Sequence, residues 1–345
     1  MNIFTLPKKI LIVRPKYGLC NQLLSISKGI TFALISNRDI YFDNFQVDYK
    51  DENNIMPFYE VIDIEYLQKK INDKNLNIKI YKKIDNKEEW IKPITYSDKN
   101  ISYIKDFTSI LLNENNNMQF YLDIDNPISS DFPPGYDDLI EYINLNIQFH
   151  GKFIYIAKNI KKKLNLRNYN CVHLRLEDDA LNFLKNYQEK IDNIKNIDAL
   201  TIDTNRFSIE NINKICIEKY LNLFDILKKD GKQIYICSSL GVNNNINNEF
   251  YKEIKKKYNL IDKNDIILNF ENCFIEIFPS NQNNLNENLD LNIRELFGII
   301  DFIIAKEGNT FTGCDWSSFS IYLDKHYKHY NKFTYLLDIF KSIYT

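Results

Sequence analysis

The stretch Cys171-Val172-His173-Leu174-Arg175-Leu176-Glu177-Asp178-Asp179 runs from apolar residues directly into a histidine, an arginine and three carboxylates. Read with a period of two, residues 169–176 form a buried strand, and His173 and Arg175 share one of its faces. A guanidinium at the carboxyl end of such a strand has two chemistries open to it. It can pair with Glu177 or Asp179 as a structural ion pair. Alternatively, its rigid fork can hold an external anion, a phosphate above all, through bidentate hydrogen bonds. Open α/β sheets bind their ligands outside the carboxyl ends of the strands, so the position of Arg175 suits the second chemistry.

Three other stretches carry groups suited to the same work. Tyr17-Gly18-Leu19-Cys20-Asn21-Gln22 lies between an apolar run and a helical pattern. Gly18 and Asn21 therefore sit where backbone N–H groups at a helix start favour anions, or where Asn21 serves as a simple cap. Ser238-Ser239-Leu240-Gly241 follows the apolar run 233–237 and brings hydroxyls to a strand end, and Ser317 and Ser318 precede a further helical pattern. Both serines are good N-caps in any protein and equally good donors to a phosphate. Asp123-Ile124-Asp125 has the spacing of a metal-binding pair, but its Asp-Asn-Pro context reads as turn chemistry.

The elements that must position these groups follow from hydrophobic period. Residues 9–13 form a strand, 14–22 a turn and 23–35 a helix; 38–45 is a second strand, and 56–67 leads into a polar helix. Between 72 and 134 the pattern is weak, with short strands at 78–81, 101–107 and 118–122 separated by Asn- and Asp-rich turns. Helices are expected from 137 and over 149–164, then the His173/Arg175 strand. Residues 182–203 read as a charged surface excursion, 209–227 as a helix, 233–237 as a strand, 248–258 as a helix and 265–270 as a strand. The Asn-rich tract 281–289 reads as a loop, 289–299 as a helix, 301–305 as a strand and 333–343 as a closing helix. Alternation of this kind implies parallel sheets flanked by helices.

Composition narrows the partners. With 345 residues the chain can hold about two domains, and 44 basic against 46 acidic residues give a net charge of −2. That leaves no field for nucleic acid or anionic lipid. Lysine clusters such as 161–163 and 255–257 read as solvated helix faces. Six cysteines without CxxC spacing read as free thiols. The first nine residues hold no apolar run, and no later segment is apolar enough to span a membrane, so a soluble, cytoplasmic protein is expected.

Taken together these motifs resemble the protein O-fucosyltransferase superfamily. Gly18-Leu19-Cys20-Asn21-Gln22 is similar to its Gly-x-x-Asn-Gln signature, and His173-Leu174-Arg175 with trailing acids to its His-x-Arg motif. The block Phe311-Thr312-Gly313-Cys314-Asp315-Trp316-Ser317-Ser318-Phe319-Ser320 is similar to its C-terminal Phe-x-Gly-x-x-x-Ser-Ser/Thr-Phe-Ser/Thr segment. Residues 58–67 resemble a further family segment, and the order of all four is right over about residues 10–324.

The resemblance implies an α/β GT-B fold, two Rossmann-like domains facing a cleft. Residues 1–165 would form the acceptor-side domain, 166–330 the GDP-sugar domain and 331–345 a C-terminal helix. It implies a GDP-fucose donor, transfer with inversion to a protein or glycan acceptor, and no metal or cofactor. By motif match, Arg175 grips the β-phosphate and Asn21 lies near the pyrophosphate and sugar, the pair that carries catalysis. Gly18, Ser317, Ser318 and Phe319 match phosphate-holding segments, His173 and Asp301 are candidates for guanine and ribose, and Ser238 and Ser239 are weaker ones. The chain departs from some members in having Arg14, Lys16 and Tyr17 where they carry a catalytic glutamate, and it leaves the general base unassigned among Glu177, Asp178 and Asp179. Two alternatives remain: an inactive nucleotide-sugar or glycan-binding module, and a metal-dependent GT-A transferase using Asp123 and Asp125.

Overall fold

The computed structural model describes residues 10–48, 51–84, 94–95, 120–123, 135–195, 208–240, 245–267 and 294–344. The chain divides into two compact units, Met1–Ile154 with Asn292–Ile299, and Tyr155–Leu291 with Ile300–Thr345. Residues 155–165 thus count with the second unit and 292–299 with the first, unlike a single boundary at 165/166.

In the first unit β1 (Ile10–Arg14) leads into helix α1 (Leu19–Ile35), then β2 (Asp39–Phe42) and an antiparallel pair, β3 (Phe45–Asp48) with β4 (Asp51–Met56). Short helices α2 (Phe58–Val61) and α3 (Ile64–Asp73), strands β5 (Ile80–Tyr81), β6 (Ile94–Thr95) and β7 (Phe120–Asp123), and helix α4 (Asp137–Asn146) follow. The main sheet is parallel throughout, in the order β5-β2-β1-β7-β6. Gly29 lets α1 lie close on that sheet, since a Cβ there would stand 2.8 Å from a Val13 methyl. The expected strand at 101–107, the tract 281–289, Gly241 and Asp125 lie outside the described residues.

Helix α5 (Gly151–Lys163) precedes the strand β8 (Tyr169–His173) of the second unit. Next come α6 (Asp178–Lys195), α7 (Ile209–Lys229), β9 (Gln233–Cys237), α8 (Asn248–Tyr258), β10 (Leu260–Asp262) and the single turn α9 (Asn264–Ile267). The chain closes with α10 (Arg294–Glu307), β11 (Thr310–Cys314), α11 (Ser318–His329), β12 (Thr334–Leu337) and α12 (Ile339–Tyr344). The sheet, again wholly parallel, runs β10-β9-β8-β11-β12. Strand order reverses beside β8, between β9 leading one way and β11 the other. That is the topological switch point of a doubly wound sheet, where the carboxyl ends of neighbouring strands leave room for a ligand.

Five expectations change. Residues 301–305 belong to helix α10, not to a strand; Leu296, Phe297, Ile299, Ile300, Phe302, Ile304 and Ala305 are all buried. A helix buried around most of its girth loses the 3.6-residue signature. The C-terminal segment is a strand and a short helix because residues 334–337 pair with β11, and the expected strand at 265–270 begins as the turn α9. Much of the surface excursion is helix α6, anchored by buried Ala180, Leu181 and Leu184. Strand β8 ends at His173, so Arg175 stands just beyond it.

Candidate active site

Arg175 is held by two carboxylates. One terminal guanidinium nitrogen donates to Glu177 Oε2 at 3.1 Å and the other to Asp179 Oδ2 at 2.8 Å. The remaining guanidinium N–H groups have no hydrogen-bond partner among the described residues. Burial opposes the charge, but Glu177 and Asp179 more than offset it and hold the Arg175 pKa above its ordinary value. The backbone is fixed as well: Arg175 N–H donates to the Tyr220 hydroxyl at 3.1 Å, which donates to His173 C=O at 2.9 Å. Tyr220 is a fully buried residue of α7, so this helix sets where the chain leaves β8.

Glu177 ties Arg175 to the end of β9. Its Oε1 accepts from Ser238 Oγ at 3.2 Å, Ser239 N at 3.0 Å and Ser239 Oγ at 2.9 Å. Ser238 and Ser239 therefore serve the carboxylate that orients the arginine. Behind them lies a buried pair that the sequence did not reveal: Lys263 Nζ donates to Asp301 Oδ2 at 2.6 Å and to Ser238 C=O at 2.8 Å. Asp301 Oδ1 accepts from the Tyr235 hydroxyl at 2.7 Å. Burial raises the Asp301 pKa to about 6, against the pull of Lys263. Each Asp301 oxygen is engaged by one buried donor, Oδ1 by Tyr235 and Oδ2 by Lys263, and each keeps a further lone pair.

The turn from β11 into α11 stands beside β8. Gly313 is required by a close approach, because a Cβ there would lie 2.3 Å from Ser320 Oγ. That hydroxyl accepts from Cys314 N at 3.0 Å and lies 2.8 Å from His173 Nδ1. His173 packs on Phe319 with centroids 4.6 Å apart. The Trp316 ring is 6.0 Å from the Arg175 guanidinium carbon and stacks on Phe183. Ser317 occupies the N-cap of α11 without a side-chain cap bond, followed by Ser318. The uncapped first turn offers N–H groups and the positive end of the helix dipole. His173, Arg175, Ser238, Ser239, Ser317, Ser318 and Phe319 are thus gathered around the carboxyl ends of β8, β9 and β11. Asp301 and Lys263 lie behind them. Ser320, the last residue of the C-terminal sequence block, holds His173 through its hydroxyl.

Gly18 and Asn21 belong to the first unit. Gly18 has φ −59° and is the N-cap of α1, a conformation open to any residue; Tyr17, before it, is the strained one with φ 70°. Gln22 and Gln46 hold this loop, Gln22 Nε2 donating to Tyr17 C=O at 2.7 Å and Tyr17 N–H donating to Gln46 Oε1 at 2.8 Å. The anion position at the start of α1 is filled from within, because Leu19 N–H donates to Glu295 Oε2 at 2.5 Å. Asn21 does not cap the helix by its side chain, and its buried Oδ1 has no partner among the described residues. Asp123 ends strand β7. Among the described residues no cluster of His, Cys, Asp and Glu is placed to hold a metal, and no helix is long and apolar enough to cross a membrane. The described cysteines are buried and free, with thiols such as Cys314, pushed up to about 11 by burial, unsuited to chemistry.

Two parallel-sheet units, one with a gathered site at its switch point, define an α/β protein of the GT-B type. Solved structures of POFUT1 share that fold. POFUT1 in its apo form matches with a TM-score of 0.53 at 12% identity, over 96% of this chain and 99% of that one. POFUT1 in complex with GDP matches with a TM-score of 0.54 at 13% identity, again over 96% and 99%. The fucosyltransferase NodZ from Bradyrhizobium gives a TM-score of 0.48 at 11% identity, over 93% of each chain. Neither a protein-family model nor a curated protein matches the sequence.

Proposed function

We propose that this chain is a glycosyltransferase of the fucosyltransferase superfamily, taking fucose from GDP-fucose and passing it, with inversion and without a metal or cofactor, to a protein or glycan acceptor. The observation that carries the reading is Arg175: an oriented guanidinium with uncommitted N–H groups, at the switch point of a doubly wound sheet and beside the Ser317–Ser318 helix start. It is supported by the sequence motifs and by a fold shared with POFUT1, a protein solved with GDP and with GDP-fucose.

In this reading Arg175 receives the β-phosphate. As the bond from the sugar's C1 to phosphate breaks, charge grows on the leaving diphosphate. A fixed guanidinium then gains more in the transition state than in the ground state, the condition for catalysis. The first-turn N–H groups of α11 and the hydroxyls of Ser317 and Ser318 hold the same phosphates, while Phe319 positions His173 by packing. By motif match Gly18 and Asn21 are assigned to the pyrophosphate and sugar, and the Asn21 Oδ1, which has no partner among the described residues, is available to a hydroxyl or amide donor of the substrate.

The loop with Arg14, Lys16 and Tyr17 lacks a carboxylate, which favours binding without transfer as the second reading. The metal-dependent GT-A alternative has lost its fold to two separate parallel sheets. Thermal melts of the full chain against nucleotides and nucleotide sugars, with and without Mn²⁺, test the proposal. GDP and GDP-fucose should raise the midpoint regardless of metal, and product analysis with GDP-fucose should detect transfer or slow hydrolysis. A shift with UDP-sugars alone, or one that needs Mn²⁺, refutes the donor assignment. GDP binding with no turnover leaves the binding-module reading.

A further inference from the structure

The two carboxylates on Arg175 are not equivalent. The Glu177 side chain is 4% exposed, and its second oxygen is fixed by Ser238 and Ser239. The Asp179 side chain is 26% exposed and stands in the first turn of α6. One guanidinium between two carboxylates leaves the cluster with a net negative charge, which repels the anion the site is shaped to take. A phosphate gains the whole fork only if one carboxylate yields. Glu177 cannot move without stripping three bonds from its other oxygen in a dry environment, a costly exchange. Asp179 is the carboxylate that borders water, so its turning outward keeps the charge solvated, and at the N-terminal turn of a helix a displaced carboxylate remains favourably placed by the dipole.

We propose that Asp179 is a self-ligand of the site: an internal anion that occupies half of the Arg175 fork in the empty protein and is displaced by the diphosphate of the incoming nucleotide. This rests on the nucleotide-diphosphate reading above and adds to it the residue that sets donor affinity. Glu177 stays bound throughout and keeps the fork oriented. Asp179 thereby occupies the second terminal nitrogen of the fork between turnovers, at the expense of affinity for donor and for the nucleoside diphosphate product alike. Weak product retention is the functional return, since release of a diphosphate from an unopposed guanidinium is slow.

The test compares the full-length wild type with Asp179→Asn and Asp178→Asn by calorimetric titration with GDP and with inorganic pyrophosphate, at fixed ionic strength and without divalent metal. Asp178 is the control: it is the adjacent carboxylate on the same turn, but its Oδ1 accepts from Ile246 N–H at 3.0 Å and not from Arg175. Asp179→Asn should bind both ligands about tenfold more tightly, the scale of removing one like charge beside an anion. Asp178→Asn should stay within about twofold of wild type, because its carboxylate does not compete for the fork. Melts without ligand establish that each variant is folded. If the wild type binds GDP and Asp179→Asn binds it equally or more weakly, Asp179 is a fixed partner of Arg175; the inference is overturned and the donor reading stands. An equal gain in both variants reduces the effect to general charge and also overturns it. If no folded variant binds either ligand, the donor reading fails and the inference with it.

Discussion

Arg175 and Glu177 show how a charged side chain can be kept at the edge of a core and still aim outward. The guanidinium is oriented by a carboxylate whose other oxygen is saturated, so the pair acts as one rigid part. Arg175→Ala is expected to lower turnover by about two orders of magnitude or more, the effect of deleting one donor to developing charge. Near-normal turnover in that variant would remove Arg175 from the chemistry. Glu177→Gln keeps the shape but removes the countercharge and one good acceptor. Its expected signature is a fall in denaturation free energy of about 3 kcal/mol, in the range for breaking a buried pair from one side, together with a larger loss in kcat than in donor affinity. An unchanged denaturant midpoint would contradict the buried-pair account.

Elements carry the next layer, and two of them make separate predictions. The β11–α11 turn depends on Gly313, where a side chain collides with Ser320. Gly313→Ala should destabilise by about 1–3 kcal/mol, the usual range for overpacking, and should loosen His173 through the Ser320 hydroxyl. A variant of wild-type stability would mean the turn yields freely. Helix α10 holds Lys306, whose pKa burial lowers from its ordinary 10.5 to about 8. Below about pH 8 both folded and unfolded chains carry that proton, and the burial penalty is fully present; between about 8 and 10.5 the unfolded chain binds more protons, so this residue makes stability rise with pH. Lys306→Met should therefore raise stability at pH 7 by up to about 3 kcal/mol, and its advantage over wild type should shrink toward pH 10.5. A constant difference across that range would point to packing instead of charge.

Legibility in the sequence follows the same physics. The strand read over 169–176, which ends at His173, the strand 233–237 and the helix read over 209–227, which runs to Lys229, were readable because apolar period and local stop signals agree there. The second half of helix α10 was not, its residues 301–305 being apolar nearly all round, and β12 was not, since its extended form comes from pairing with β11. The strand end made Arg175 a candidate and left the ion pair with Glu177 or Asp179 open beside anion binding; the structure shows that ion pair. The Lys263–Asp301 pair and the Ser320–His173 contact could not be read, because their partners lie 38 and 147 residues apart and only the closed sheet brings them together.

On the scale of the whole chain, two units with separate parallel sheets and separate cores imply more than one unfolding step. Calorimetry should give a measured enthalpy larger than the van't Hoff value, and GDP at a hundredfold excess over its Kd should stabilise the transition of the unit containing Arg175 by about 2.7 kcal/mol. Equality of the two enthalpies would show that the units melt as one.

Helix α10 also orders events in time. Its residues 294–299 belong to the first unit, where Glu295 receives the Leu19 N–H at the start of α1 and Gly298 lies against Leu19. A nascent chain emerges from its N-terminus and ordinarily completes domains in that order. Here the first sheet is synthesised early, but the carboxylate that closes its leading helix arrives only after most of the second unit has been made. A ribosome stalled ahead of residue 292 therefore displays a first unit with its α1 terminus still open, and the two halves of the protein reach their finished state nearly together.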